Sequence, residues 1–163
     1  MSSATLADSA GAQFPTPGAV PDVLVRQHNT VVYRIDGAAQ DYSRNCQGCH
    51  GHLGYSVEEI PVLKDRVGYF TRTPAGRAYL VRVPNVAQAH LSDERLARLL
   101  NWMLATYSPA QLPRDFVPYT AEEVNRLRRE HPPSVVQLRK QVVEELLARG
   151  AIPDAAVLSF AGE

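Results

Sequence analysis

Residues Cys46-Gln47-Gly48-Cys49-His50 decide how the rest of this chain is read. Wound as a helical turn, two thiols three positions apart face one side, and His50, four positions after Cys46, can swing its imidazole toward whatever those thiols hold. This is the spacing of covalent haem c attachment, in which each thiol bonds a vinyl group and the imidazole reaches the iron as proximal ligand. Both cysteines of the chain are spent here, which makes the signal specific. Three other readings share the spacing: a thioredoxin-like redox pair, half of a zinc site, and chance. The zinc reading would want a second ligand pair, and the sequence has no further cysteine.

The flanks bound what such a motif can belong to. A chain of 163 residues supports one domain of ordinary size with room for an appendage. Seventeen basic residues balance seventeen acidic ones, so no overall field points to nucleic acid or an anionic membrane, and any charged docking face must be local. No apolar run approaches the roughly 20 residues that span a bilayer, so no membrane span is expected. Met1 to Val20 is small and polar, without the basic and apolar regions of a signal peptide. Covalent haem attachment takes place outside the cytoplasmic membrane, so the chain is expected to act in the periplasm, its leader absent from the sequence.

Residues 1–21 are too poor in apolar side chains to offset ordering and are expected to be flexible. From Val23 to Ile35, β-branched residues cluster without helical period, predicting an extended segment that carries His28. Asp36 can cap a helix running through Ala38, Ala39 and Tyr42 into the motif. Tyr42, four before Cys46, shares that thiol's face and is predicted to enter the core. This run from Gly37 to Gly51, with Tyr42, Asn45, Cys46, Cys49, His50 and Gly51, resembles the N-terminal helix and haem-attachment segment of class I cytochromes c.

Two later stretches resemble that family in order and spacing. Ile60-Pro61-Val62-Leu63 is similar to its Pro-x-Leu loop, which implies that the Pro61 carbonyl accepts the Nδ1 proton of His50 and fixes the ring. Leu91 to Leu104 reads as a helix capped by Ser92, with Asp93 and Glu94 in its first turn. Leu96, Leu99, Leu100 and Met103 recur on one face. This resembles the family's C-terminal helix, with Trp102 as its aromatic contact near the haem edge. The resemblance spans about residues 36–104. It implies a mainly α fold, a class I cytochrome c-like helical domain around one covalent haem c over 22–107.

Residues 108–163 continue where a minimal member of that family would stop. Tyr107 to Pro118 carries three prolines and reads as an irregular strap. Thr120 with Glu123, and Ser134 with Gln137, are capping-box patterns that open two helices, the second running to Arg149 before Gly150. Val135, Leu138, Val142, Val143 and Leu146 form an apolar stripe on that helix. It either packs back onto the haem domain or serves as a partner or dimer surface.

The iron's other face separates carrying electrons from doing chemistry. The family usually places a methionine in the loop before the last helix, and here Val83 stands in that place. His90, in the same loop, is the expected substitute ligand. An open or water-bound site, His28, Tyr79 and Met103 are the alternatives. Met103 at helical spacing is expected to be core, and Tyr79 to bond a haem propionate. Arg72, Arg77 and Arg82 could pair with propionates or lie in a solvated loop; spacing does not choose. His131, beside two prolines, is expected to be exposed.

Three functions compete. The first is an electron-transfer protein serving a redox partner such as a periplasmic dehydrogenase or reductase. The second is a haem enzyme or gas sensor with a displaceable sixth position. The third is a structural subunit that binds through its last two helices.

Overall fold

The computed structural model describes residues 25–27, 30–32, 35–56, 60–130 and 132–158, with only the backbone described for the two strands and for residues 35, 36 and 156. The segment 1–21, His28 and His131 lie outside the described residues. The β-branched run does adopt extended structure: β1 (Val25–Gln27) and β2 (Thr30–Val32) pair antiparallel, Val25 opposite Val32. Among the described residues, everything after it is helix and connecting loop. The fold is mainly α, consistent with a cytochrome c-like helical domain carrying a further helical segment.

Helix α1 (Ile35–Asn45) begins one residue before Asp36, so that residue sits in the first turn and not ahead of it. α1 leads through Cys46 into the single turn α2 (Gln47–His50). Helix α5 (Asp93–Tyr107) packs across α1, and its Ser92 hydroxyl accepts the Arg95 N–H, as a capping serine should. The two helices are joined by aromatic and ionic contacts. Tyr42 lies against Trp102 and Tyr107, with ring centroids 5.4 and 5.1 Å away. Arg95 grips the buried Asp41 with two nitrogens, at 2.5 and 3.2 Å, the forked geometry that suits a guanidinium and a carboxylate.

Between α2 and α5 the sequence analysis assigns no helix, and the structure has three short ones. A 3-10 helix (Val67–Arg72) is followed by α3 (Pro74–Arg82) and α4 (Pro84–Ala87). Thr73 caps α3, its hydroxyl accepting the Gly76 N–H at 3.1 Å, and Pro74 occupies the first turn. Ala78, Tyr79, Leu80 and Val81 are all buried, so α3 shows no amphipathic stripe. It is covered on several sides, by the 3-10 helix and by the C-terminal segment. Gly76 makes the close approach possible, because a Cβ there would lie 2.3 Å from the Phe70 carbonyl oxygen.

The C-terminal segment folds back. A strap through a 3-10 turn (Pro109–Gln111) leads to α6 (Ala121–Leu127) and α7 (Val135–Ala148), capped by Thr120 and Ser134 as predicted. A last 3-10 turn spans Ala155–Leu158. Phe116, Tyr119, Val124, Leu127, Val142, Leu146, Ile152 and Leu158 join one continuous core with Tyr42, Leu96 and Leu104. The strap is pinned by Asn101, whose amide exchanges two hydrogen bonds with the backbone of Tyr119, at 2.8 and 2.9 Å. No described helix is long and apolar enough to cross a membrane.

Candidate cofactor site

The motif is held as a continuation of α1. Cys46 N–H donates to Tyr42 O at 2.8 Å and His50 N–H to Cys46 O at 3.0 Å, so the four-residue ladder runs on through the turn. Gly51 ends it with φ +67°, and a Cβ there would meet the Tyr55 carbonyl oxygen at 2.4 Å. The Tyr42 hydroxyl donates to the Gly51 carbonyl at 2.8 Å, tying the end of the motif to the aromatic cluster beneath it.

The His50 ring is oriented from below. Its Nδ1 lies 3.0 Å from the Pro61 carbonyl oxygen, which assigns the proton to Nδ1 and leaves Nε2 with a lone pair. The Ser56 hydroxyl donates to the same carbonyl at 2.5 Å and lies 3.4 Å from Nδ1, a participant that no spacing or motif marks in the sequence. Burial holds the His50 pKa below its ordinary value against the opposing effect of the Pro61 bond, so the ring is neutral, as a metal ligand must be.

Above this ring lies a cavity of about 220 Å³. Voids larger than a water molecule are few in native cores, and an apolar one that would hold many waters is a candidate ligand site. Cys46, Cys49 and His50 form one part of its wall with Asn45; Ile60, Pro61, Val62 and Leu63 follow. Val67, Phe70, Tyr79 and Leu80 come from the 3-10 helix and α3. Val83, Asn85, Val86 and Ala89 come from the region of α4. Leu96, Leu99, Leu100 and Met103 present the apolar face of α5, and Arg139 enters from α7.

A slot with apolar walls, two thiols on one helical turn and an imidazole with a free Nε2 suits a flat metalloporphyrin with vinyl groups. The competing readings of the motif fit less well. Burial pushes the Cys46 thiol up to about 11, with the neighbouring Cys49 and Asp41 adding to it, whereas a thioredoxin-type cysteine is activated by a lowered pKa. Among the described residues no group of three or more His, Cys, Asp or Glu side chains is placed to share a metal ion, so a zinc half-site finds no other half.

Of the residues singled out from the sequence, Cys46, Cys49, His50, Pro61 and Tyr79 line one cavity. Val83 is there too, at the junction of α3 and α4. Met103 is buried on the face of α5 and also lines the cavity. Trp102 does not line it, lying instead between Tyr42 and Tyr107. His90 is exposed and outside the lining, although Ala89 belongs to it. The loop carrying His90 is held by Arg128, which donates to the carbonyls of Ala87, Ala89 and Leu91 at 2.8 to 3.0 Å and pairs with Asp93.

The three arginines considered for propionates face elsewhere. Arg77 forks onto Glu123 at 2.6 and 2.7 Å, Arg82 pairs with Glu130, and Arg72 donates to the carbonyls of Gln111 and Ala151. All three bind the C-terminal segment to the rest of the fold. Arg139, which the sequence analysis does not single out, does line the cavity. It falls among Val135, Val142 and Leu146 at steps of four, three and four, and a charged residue inside an apolar stripe was the available signal.

No family model matches the chain. It is similar to a cytochrome c-552 of Thermus thermophilus, 29% identical over 118 aligned positions that take in 60% of this chain and 90% of that protein. A second cytochrome c-552 sequence, from a named strain of the same organism, matches at the same identity over 80% of its length.

Proposed function

We propose that this chain is a mono-haem c-type cytochrome that passes single electrons between redox partners in the periplasm. Haem c is held by thioether bonds to Cys46 and Cys49, with His50 Nε2 as the proximal ligand. The observation that carries the reading is the joint placement of both thiols and the Pro61-oriented imidazole on one apolar cavity. Similarity to the Thermus proteins named cytochrome c-552 supports it.

When bound, the haem supplies an iron that cycles between ferric and ferrous. The chain's own contributions follow from its contacts. Pro61 and Ser56 hold the imidazole in one tautomer. The apolar walls from α3 and α5 exclude water and so favour the less charged iron state. Cys49 is exposed, so one side of the attachment turn stays open to a partner. A protein meeting the C-terminal helices would meet exposed Val136 and Leu147, since Val142 and Leu146 are buried.

A second reading, a ligand-binding haem site, is favoured by the placement of His90. With that residue exposed, the described cavity side chains besides His50 with donor atoms suited to iron are Met103 and Tyr79, the cysteines being taken by the vinyl groups.

The test is expression in a host that attaches haem c, followed by mass and optical spectra. One covalent haem, lost in Cys46→Ala with Cys49→Ala, is expected; a chain that leaves the host without haem sinks the reading. Low-spin iron indifferent to cyanide and carbon monoxide identifies the carrier, and high-spin iron that binds them identifies the second reading. An unchanged spectrum and potential in His90→Ala removes that residue from the iron.

A further inference from the structure

His90 stands at the tip of a three-residue turn, in which the Leu91 N–H donates to the Ala89 carbonyl at 2.7 Å. Ala89 lines the cavity, whereas His90 is exposed. The turn is held from outside by Arg128, the residue that follows α6. Its Nη2 donates to the Ala89 carbonyl at 2.8 Å and its Nη1 to the Leu91 carbonyl at 3.0 Å, one on each side of His90. Its Nε takes the Ala87 carbonyl at 2.9 Å, and Asp93 fixes the guanidinium from the start of α5, also at 2.9 Å. A rigid planar fork bound at four points holds the backbone of 87–91 in one orientation.

The stretch before it is fixed as well. Val83 N–H donates to the Tyr79 carbonyl at 3.1 Å, and the Val83 carbonyl accepts from the N–H groups of Val86 and Ala87 at 2.8 Å each. This region therefore offers the cavity Val83, Asn85, Val86 and Ala89, none of which carries an imidazole, thiolate or thioether. The imidazole one position beyond Ala89 is turned away. Bringing it inward means opening the three-residue turn and the two Arg128 bonds that flank it.

We propose that Arg128 is a positioning residue that keeps His90 off the iron and so reserves the sixth position for a small uncharged ligand. This rests on the ligand-binding reading above. The side chains of Leu80, Val83 and Val86 give an entering anion no replacement for its water, which an uncharged molecule does not need. Arg139, which also lines the cavity, spends donors on the Tyr79 hydroxyl and the Leu158 carbonyl. A residue of the C-terminal segment thereby sets the coordination of the haem domain.

The test uses full-length, haem-loaded protein as wild type, His90→Ala, Arg128→Ala and the double variant Arg128→Ala with His90→Ala. Spin state is read from the optical spectrum; ferrous protein is titrated with carbon monoxide, ferric protein with imidazole and with azide. Wild type and His90→Ala are expected to be high-spin and to bind carbon monoxide alike. In Arg128→Ala the freed loop lets His90 onto the iron, so the spectrum turns low-spin. Carbon monoxide affinity then falls about tenfold, as for a site free about one tenth of the time. The double variant returns to wild-type behaviour. Azide, which must shed its hydration, is expected to bind about tenfold more weakly than imidazole.

Arg128→Ala with the wild-type spectrum and affinity, or a double variant that stays low-spin, would overturn the clamp and leave the ligand-binding reading in place. Azide binding as tight as that of imidazole would overturn the uncharged class. Should Arg128→Ala not fold, Arg128→Lys keeps the charge but cannot bridge three carbonyls; it is expected to move the spectrum in the same direction by a smaller amount, which His90→Ala reverses. A wild type that is low-spin and indifferent to carbon monoxide overturns the ligand-binding reading and the proposal with it. Absence of a covalent haem spectrum in the wild type overturns the haem reading instead.

Discussion

His50 Nδ1 and Ser56 Oγ share one acceptor, the Pro61 carbonyl oxygen, at 3.0 and 2.5 Å. The shorter bond belongs to the serine, so the histidine holds the carbonyl in competition. Ser56→Ala leaves the carbonyl to the imidazole, which should strengthen the Nδ1 bond and make Nε2 a better donor to iron. The expected result is a lower reduction potential in the loaded protein, by less than the about 59 mV of a tenfold ratio. Potentiometric titration of the two proteins checks it; an unchanged or raised potential contradicts it.

Gly51 closes the Cys46–His50 turn in a backbone region that L side chains rarely adopt, and its missing Cβ is what lets Tyr55 O pass. Gly51→Ala therefore carries both backbone strain and a clash, about 1–3 kcal/mol together. Its carbonyl also receives the Tyr42 hydroxyl, so the loss should spread to the aromatic cluster. Urea denaturation should show a lower midpoint, with quenching of Trp102 fluorescence altered before global unfolding.

What the sequence revealed and what it hid divide along a physical line. The helical turn from Cys46 to His50, the Pro61 contact, the buried Tyr42 and the buried face of α5 follow from local spacing and from a family resemblance, and the structure has each of them. Helix α3 was hidden because four consecutive buried residues, Ala78 to Val81, erase helical period. The pairs Asp41 with Arg95 and Arg139 with Tyr79 join residues 54 and 60 positions apart. Nothing local in either segment reports the other. Loop position alone makes His90 a candidate ligand, whereas its exposure goes with a clamp on that loop by Arg128, from a segment the resemblance does not cover.

That clamp makes a prediction of its own. Arg128→Ala removes donors to Ala87, Ala89 and Leu91 together with the Asp93 pair, and should cost about 2–3 kcal/mol, since bonds to a charged donor are the stronger ones but are not additive. Amide exchange in residues 87–93 should quicken by more than the rest of the molecule. A uniform change would mean that the loop is held by other contacts.

The same clamp is sensitive to acid. Hydrogen bonds from Asn125 and Arg128 hold the Asp93 carboxyl below its ordinary value, so the folded state binds its proton less readily than the unfolded state. Its contribution is complete above the ordinary carboxylate pKa of about 4 and is lost as pH falls through the lower folded value. Asp93→Asn should be less stable near neutral pH and should lose less on going from about pH 5 to pH 2.5. Parallel acid limbs in the two proteins would show that Asp93 does not govern that window.

Leu146 tests whether the C-terminal segment is core or attachment. It is fully buried, in one cluster with Val81, Leu96 and Leu104, so the helix that carries it closes the same interior that lines the cavity. Leu146→Ala leaves a cavity where the surroundings can collapse only partly, and the expected cost is about 2–5 kcal/mol. The loss should appear as one cooperative transition followed alike by far-ultraviolet circular dichroism and by the haem Soret band. If α7 instead unfolded first, with the Soret band unmoved until a later transition, the segment would be a separable attachment. A single transition places α7 inside the cooperative unit, because burial shared across Leu146, Val142 and Val124 cannot be lost on one side only.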